Sequence, residues 1–447
     1  MSGQTASCFR VGFGRVNITP RESVPLGGYG NTSKRLSLSV LSELYATCVA
    51  FSDSDGSTIL LFHMDLISSA ALNPAREAVA AATGIPYDRV MVCATHNHTS
   101  PDLNNGEIAS IPKYKEALKG WMTEAAQAAL ADRKPAEMYI GSTWFEGANF
   151  VRHYVMDDGT YAGDNFGEVV GKRYAGHTTE ADHTMQILKF TREGGEDVVM
   201  VNWQAHPHRA GGGKKTEISS DVVGSMRDMM EETLGCKFAY FTGGAGNCNS
   251  KSRIAEENPV GDYLECGQYM AKYAIAAMPT LTKAETGRIH TIHELYTARC
   301  NHTQDHLVDV AAKIRKDWED SWDTAAAKEA GKPYGIHSPY HAGAIIRKSK
   351  LPETMNVPMY AFSIGDVAFI TAAYEMFDTS GSQIKCGSPY KMTFICSCAN
   401  GGVGYIPSAY GYAHGCYEAD CTPLAPGTAE ELVMEYIKLL ATIYHEA

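Results

Sequence analysis

With 447 residues, 44% of them hydrophobic and 20% charged, the chain can bury a large core and is not expected to be disordered. A formal net charge of −12 argues against a nucleic-acid surface or an anionic-membrane patch, and no run of about 18 consecutive apolar residues supplies a transmembrane helix. The first residues, up to Asn17-Ile18-Thr19-Pro20, lack an export-type apolar stretch, so a cytoplasmic protein with twelve reduced cysteines is expected, homo-oligomerisation being left open.

Thr58 to Met64 has the pattern of a buried strand that ends at Asp65. Asn73 is placed as the cap of a following helix, with Pro74 in its first turn and Gly84 as its stop. Val90 to Ala94 is a second strand, which runs into Thr95-His96-Asn97-His98. Strand, helix and strand with short links imply a parallel pair, and functional groups in such sheets gather beyond the carboxyl ends of the strands. Lys113 to Ala131 is helical, and Met185 to Phe190 with Val198 to Trp203 forms a hairpin about Gly194-Gly195. The second hairpin strand leads into Ala205-His206-Pro207-His208. A helix from Ser219 to Leu234 with Gly235 as stop, and a strand from Phe238 to Phe241, precede the turn Gly243-Gly244-Ala245-Gly246-Asn247. His302 to Ala330 is amphipathic and helical, and Gly331 to Glu353 is assigned to loop. Val367 to Ala372 leads to Tyr374-Glu375, and Thr428 with Glu431 gives the last helix a capping box. No internal repeat is visible. The expectation is an α/β fold with mixed sheets, one catalytic unit over 1–447, a helical or loop insertion at 301–353, and an active site at strand C-terminal ends.

Side chains two apart at a strand end share a face, so His96 and His98 can converge on one ion or one substrate. His206-Pro207-His208 repeats the arrangement at another strand end, and Glu375 offers a carboxylate. The glycine-rich turn through Gly246 can present backbone amides to an anion, but no Gly-Lys-Ser/Thr follows, so nucleotide binding is not indicated. Cys248 on this turn is either a nucleophile, with His98 or His208 as base, or an idle core thiol. Cys396-x-Cys398 and Cys416-x4-Cys421 fit no common zinc knuckle and are assigned to core or loop thiols.

From Val11 to about Pro426 the sequence resembles the neutral/alkaline non-lysosomal ceramidase family. The segments that carry the resemblance are Gly12-Phe13-Gly14-Arg15-Val16-Asn17-Ile18-Thr19-Pro20, Ala94-Thr95-His96-Asn97-His98-Thr99-Ser100-Pro101, Ala148-Asn149-Phe150-Val151-Arg152 and Asn202-Trp203 through His206-Pro207. Glu375-Met376-Phe377, Asn400-Gly401-Gly402-Val403-Gly404-Tyr405 and Tyr417-Glu418-Ala419 continue it. The resemblance implies the ceramidase catalytic fold, amide hydrolysis, and a zinc ion held by His96, His206, Glu375 and Tyr405. It further implies that Tyr417 and Arg152 face the substrate. Two departures stand out: Asn249 occupies the place of the family's catalytic serine, and the β-sandwich that follows the catalytic domain in ceramidases has no counterpart in this sequence.

The expected chemistry is hydrolysis of an amide in a small or N-acyl substrate by metal-bound water, with zinc polarising the carbonyl. Tyr417 and the amides near Gly246 would steady the oxyanion, and His98 would move the proton. Gly246, Asn247 and Asn249 are assigned to the substrate. Arg152 either grips an anionic substrate group or forms a structural ion pair. The rivals are a cysteine hydrolase built on Cys248 and a non-catalytic metal- or ligand-binding relative. A substrate smaller and more polar than ceramide is expected, met in part by a basic loop at Gly211-Gly212-Gly213-Lys214-Lys215.

Overall fold

A computed structural model describes residues 8–29, 34–163, 172–212 and 214–446. Its sheets are built from one arrangement used three times. The first unit consists of strands β1 (Arg10–Asn17), β2 (Tyr45–Ser52), β3 (Thr58–Met64) and β4 (Val90–Ala94), with helix α1 (Asn73–Thr83) as crossover and α2 (Ser110–Ala131) after it. β1 pairs antiparallel with β2, β2 antiparallel with β3, and β3 parallel with β4. The second unit repeats this order in β5 (Lys134–Trp144), β6 (Thr184–Arg192), β7 (Val198–Trp203) and β8 (Lys237–Thr242). Its crossover is α3 (Asp221–Leu234), followed by α4 (Tyr263–Ala277).

The third unit begins with β9 (Ile289–Arg299) and is interrupted by helices α5 (Val308–Ser321), α6 (Thr324–Gly331) and α7 (Pro339–Lys348). It resumes with β10 (Thr354–Ile364), β11 (Val367–Ala372), crossover α8 (Asp378–Gly387) and β12 (Met392–Cys396), again antiparallel, antiparallel, parallel. Short helices α9 (Ala409–His414) and α10 (Tyr417–Cys421) lead to the closing helix α11 (Thr428–His445). The first two units join through a brief β1–β5 pairing into one sheet, and the third forms a sheet of its own.

Strand alternation sorts the side chains into a common core and three outer ones. One face of every unit meets in the middle, where Phe51, Phe190, Phe362 and Phe369 pack together. The opposite faces are covered separately: by α1 and α2, by α3 and α4, and by α8 and α11. Helices α5 to α7 have a small core of their own around Trp318. Among the described residues no helix is long and apolar enough to cross a membrane.

The α/β class, the parallel β3–β4 pair and the hairpin about Gly194-Gly195 agree with expectation. Gly84 and Gly235 do end their helices, each in left-handed backbone that glycine adopts without strain. Other readings need correction. Asn73 is the first helical residue rather than the cap; Leu72 holds the cap position, and the Asn73 side chain accepts from Arg76. The capping box is not made, because Thr428 donates to the Ala425 carbonyl and Glu431 accepts from the Tyr296 hydroxyl. Residues 331–353 are not loop: Ser338 accepts from the His341 amide and Pro339 opens α7, an ordinary helix start. The threefold arrangement is the larger correction, since a repeat was not expected.

Candidate active site

The three last strands of the units, β4, β8 and β12, converge at their carboxyl ends, and hydrogen bonds tie them in a ring. Thr242 Oγ1 donates to the Thr95 carbonyl at 2.8 Å, the Ser397 amide to the Thr242 carbonyl at 2.9 Å, and the Ala94 amide to the Cys398 carbonyl at 3.1 Å. The segments leaving this ring, and those leaving the neighbouring β3, β7 and β11, supply the groups at the centre of the site. Backbone conformation marks the spot: His96, Cys398 and Asn400 all have positive φ (66°, 53° and 57°), which a non-glycine residue keeps only where its surroundings enforce it.

The end of β7 delivers His206, the end of β4 delivers His96, and the end of β11 delivers Glu375. Both histidine Nε2 atoms lie 3.1 Å from the same Glu375 oxygen, Oε2. Behind them, His96 Nδ1 is held by the Ile67 carbonyl at 2.7 Å and His206 Nδ1 by the Ala245 carbonyl at 2.8 Å. A ring nitrogen that donates to a carbonyl leaves the other as a lone-pair donor, aimed at a fixed point. A tetrahedral ion with bonds of about 2.1 Å sets its ligands roughly 3.4 Å apart, so the three groups stand nearly at ligand spacing. Burial works against a charge on Glu375, but His96 and His206 outweigh it and keep the carboxyl well below the usual range. Burial, then the Arg152 charge, lowers His206, which favours the neutral ligand form; at His96 burial is outweighed by Glu375 and then Cys398, which raise it, so an ion there would take the place of a proton. The residues present therefore fit a divalent ion.

His98 joins this group: one ring nitrogen from each of His96, His98 and His206 lies within 4.8 Å of the others. Both nitrogens of His98 are buried without a hydrogen-bond partner among the described residues. An unmet buried polar group costs about 1–3 kcal/mol, so this imidazole is built to meet something that enters the site. Burial, and after it the neighbouring imidazoles, holds it well below an ordinary histidine and hence in the basic form. Gly28 is required beside it. Its φ is +93°, and a Cβ there would lie 2.3 Å from His98 Cγ.

Two chambers open on this centre. The inner one, about 350 Å³, is bordered by His96, Glu375 and Cys398 and walled by glycines and alanines such as Gly27, Ala70, Gly401 and Gly402. The outer one, about 380 Å³, is bordered by Tyr29, Arg152, His208, Asn249, Arg253 and Tyr340. Gly28, His98, Tyr405 and Tyr417 belong to both and form the neck. Tyr405 sits there because its backbone pairs with that of Glu375, whose amide donates to the Gly404 carbonyl at 2.8 Å. Its ring meets Tyr417 edge-on at 5.8 Å and lies 5.4 Å from the Arg152 guanidinium carbon.

No family model and no curated protein matches the chain. Solved structures do. The crystal structure of neutral ceramidase from Pseudomonas aeruginosa superposes with a TM-score of 0.72 at 16% identity, covering 98% of this chain and 75% of that one. A ceramidase complexed with C2 gives 0.73 at 16% identity, covering 98% and 76%. The chain has the neutral ceramidase fold.

Within the ceramidase fold the structure gathers His96, His98, His206, Glu375, Tyr405 and Tyr417 around one point, with Arg152 and Asn249 on the outer wall. Arg152 is committed to the wall itself: Nε lies 2.6 Å and Nη2 2.5 Å from Glu418 Oε1, and both partners are buried. Glu418 also takes His153 Nε2 at 2.9 Å.

Two expected groups on the glycine-rich turn are engaged by a neighbouring segment, and Cys248 is the idle core thiol of the two readings offered for it. The Gly246 amide is spent on the Met376 carbonyl at 2.7 Å, and its missing side chain lets the turn touch the Glu375 backbone, where a Cβ would lie 2.6 Å from the carbonyl oxygen. Asn247 exchanges two hydrogen bonds with Asp378, its amide nitrogen donating at 2.7 Å and its oxygen accepting from the Asp378 amide at 2.9 Å. Cys248 packs fully buried against Val151 and Ala181, and burial pushes its thiol well above the usual range. These bonds and contacts hold the turn in place. Asp65, at the end of β3, is likewise spent, on His63 and Arg227 at 2.8 Å each.

Lys214 and Lys215 are exposed and border neither chamber, and Gly213 of that loop lies outside the described residues. Cys398, read from the sequence as a core or loop thiol, is buried with Sγ 3.5 Å from His96 Nδ1. Three residues at the site went unassigned in the sequence: Tyr340 reaches in from α7, Arg253 borders the outer chamber, and Glu418 braces Arg152. Only Glu418 had a signal, its place beside Tyr417 in a segment already singled out.

Proposed function

We propose that the protein is a metal-dependent hydrolase, with zinc as the ion, that cleaves an amide bond in a small substrate. The observation that carries this reading is the meeting of His96 Nε2 and His206 Nε2 on one oxygen of Glu375, each imidazole oriented from behind by a backbone carbonyl. The shared fold with solved neutral ceramidases supports it. His96, His206 and Glu375 would hold the ion, with Tyr405 as fourth ligand or nearest neighbour. When bound, zinc lowers the pKa of a water towards about 7 and polarises a carbonyl.

The chain's own residues do the rest. His98, neutral and without a hydrogen-bond partner among the described residues, takes the proton from the attacking water and returns it to the leaving nitrogen. Tyr417, kept a neutral phenol mainly by burial, donates to the oxygen that gains charge. The Gly246 amide is already used on the Met376 carbonyl, which leaves the Tyr417 phenol as the better placed donor at the neck. The outer chamber, lined by Tyr29, Arg152, His208, Asn249 and Tyr340, suits a polar group better than a long acyl chain. A reducing compartment such as the cytoplasm suits twelve free thiols.

Protein purified without chelators is expected to carry about one divalent ion per chain, lose amide hydrolysis with a chelator and regain it with zinc. Under about a tenth of an equivalent, with no rescue by zinc, would sink the reading. Cys248→Ala is expected to retain turnover, because the thiol is walled off from both chambers. Loss of activity in a variant with unaltered circular dichroism would revive the cysteine mechanism.

A further inference from the structure

We propose that Arg35 is a positioning residue for His98, clamping both its main chain and the Tyr29 ring that packs against its imidazole. This rests on the amide-hydrolase reading, in which His98 moves the proton, and adds to it a residue that lines neither chamber.

Arg35 is a buried charge without a counter-charge. It is 5% exposed, and among the described residues no carboxylate stands within ion-pair distance of its guanidinium. Nε and Nη1 have no hydrogen-bond partner there, and the one bond of the side chain runs from Nη2 to the His98 carbonyl. The other buried arginines are met differently. Arg152, Arg192 and Arg227 each face a carboxylate, and every guanidinium nitrogen of Arg76 faces an oxygen. An arginine keeps its charge, so burying one with two nitrogens unmet costs stability, and an apolar side chain of similar size would cost less. Stability therefore does not account for Arg35, and what it touches does.

Its guanidinium carbon lies 4.8 Å from the centre of the Tyr29 ring, and that ring meets the His98 ring edge-on at 5.1 Å. A cation over a ring face holds the ring more firmly than an apolar contact does. His98 needs this support because neither of its nitrogens is hydrogen-bonded, whereas His96 and His206 are turned by carbonyls from behind. The rest of its cage is the Gly28 backbone and three more imidazole edges, at 5.2 to 5.6 Å. Arg35 reaches inward from a held backbone, since its carbonyl accepts from the Leu26 amide at 2.9 Å. A group that moves a proton has to stay within hydrogen-bond reach of it, and a displacement of about 1 Å can cost about a hundredfold in rate.

The test uses zinc-loaded protein and the chromogenic amide p-nitroacetanilide. Arg35→Met is expected to keep its metal, melt no lower than wild type and hold KM within twofold, while kcat falls tenfold or more. Arg35→Ala should lose as much and regain at least fivefold in kcat with guanidinium ion in the tens of millimolar, which leaves wild type unchanged. A kcat within twofold of wild type in Arg35→Met, or a loss carried by KM or by the metal, would overturn the proposal. So would variants that unfold or melt lower with no gain from guanidinium, since Arg35 would then be an ordinary brace. Should wild type that holds its metal cleave none of this amide, that result counts against the hydrolase reading alone, and NMR decides. The ring signals of His98, assigned by their absence in His98→Ala, should be single in wild type and broadened or doubled in Arg35→Met; identical signals would refute the clamp.

Discussion

His206→Ala is expected to yield a folded protein that keeps no metal and whose turnover falls to background. The imidazole is fully buried, and its Nδ1 is held by the carbonyls of Ala245 and Cys248 at 2.8 and 3.0 Å. Removing it loses that side-chain bond, worth about 0.5–1.5 kcal/mol, while both carbonyls keep backbone donors, the Cys248 amide on Ala245 and the His206 amide on Cys248, so the loss is tolerable against the roughly 5–15 kcal/mol of an ordinary fold. The ion has no such reserve, because each ligand of a small cation carries a large share of its affinity. His96→Ala should behave alike, since its Nδ1 is anchored to Ile67 in the same way.

His98→Ala is the informative contrast. Its ring lies as close as the others, yet no carbonyl orients it, and oriented imidazoles are the ones that make lasting ligands. It should keep most of the metal after dialysis and lose turnover. Elemental analysis, circular dichroism and initial rates on the three variants decide the matter. If His98→Ala loses the ion while His96→Ala keeps it, the roles within the pair are reversed.

Much of this site was legible because it follows from strand ends. A buried apolar run followed at once by a polar pair, as at Ala94-Thr95-His96 and Ala205-His206, places the side chain beyond the sheet whatever the rest of the chain does. Glu375 and Tyr405 needed the family resemblance, since one carboxylate and one phenol in loops carry no pattern of their own. The threefold architecture was hidden for a physical reason. The units share strand order and facing, but equivalent ends of β3, β7 and β11 carry Asp65, His206 and Glu375, three different chemistries, and the stretches 18–44, 145–183 and 300–353 between the first two strands of each differ in structure. The engagement of Gly246 and Asn247 was hidden for another reason. Sequence shows that a turn is glycine-rich and polar, but not whether its amides and side chains are already taken by a neighbouring segment, here Glu375 to Asp378. Arg253 and Tyr340 come from elements with no motif at all, and only their packing brings them to the mouth.

Glu418→Gln is expected to destabilise the protein by about 3–5 kcal/mol at pH 7, because it leaves the buried Arg152 guanidinium without its counter-charge. The pH dependence carries the signature. Burial alone would raise the Glu418 pKa, but Arg152 and then His153 outweigh it and hold the carboxyl well below the usual range. A carboxyl whose pKa is depressed on folding contributes stability that is complete above its unfolded value, about 4.3, and fades as pH falls towards the folded value. The gap between wild type and Glu418→Gln should therefore be full at pH 7 and shrink below about pH 4. Urea midpoints of the metal-free proteins at both pH values measure it without interference from metal release. Replacing both partners, as in Arg152→Met with Glu418→Leu, should recover much of the stability, since an apolar pair of similar size removes both desolvation costs. That double variant then separates two duties. If it folds well and still turns over amides with an unchanged KM, the pair is scaffolding alone. If KM rises while the metal content holds, the Arg152 charge reaches the substrate through the outer wall. A Glu418→Gln protein as stable as wild type at pH 7, within about 0.5 kcal/mol, would show that the ion pair does not hold this wall together.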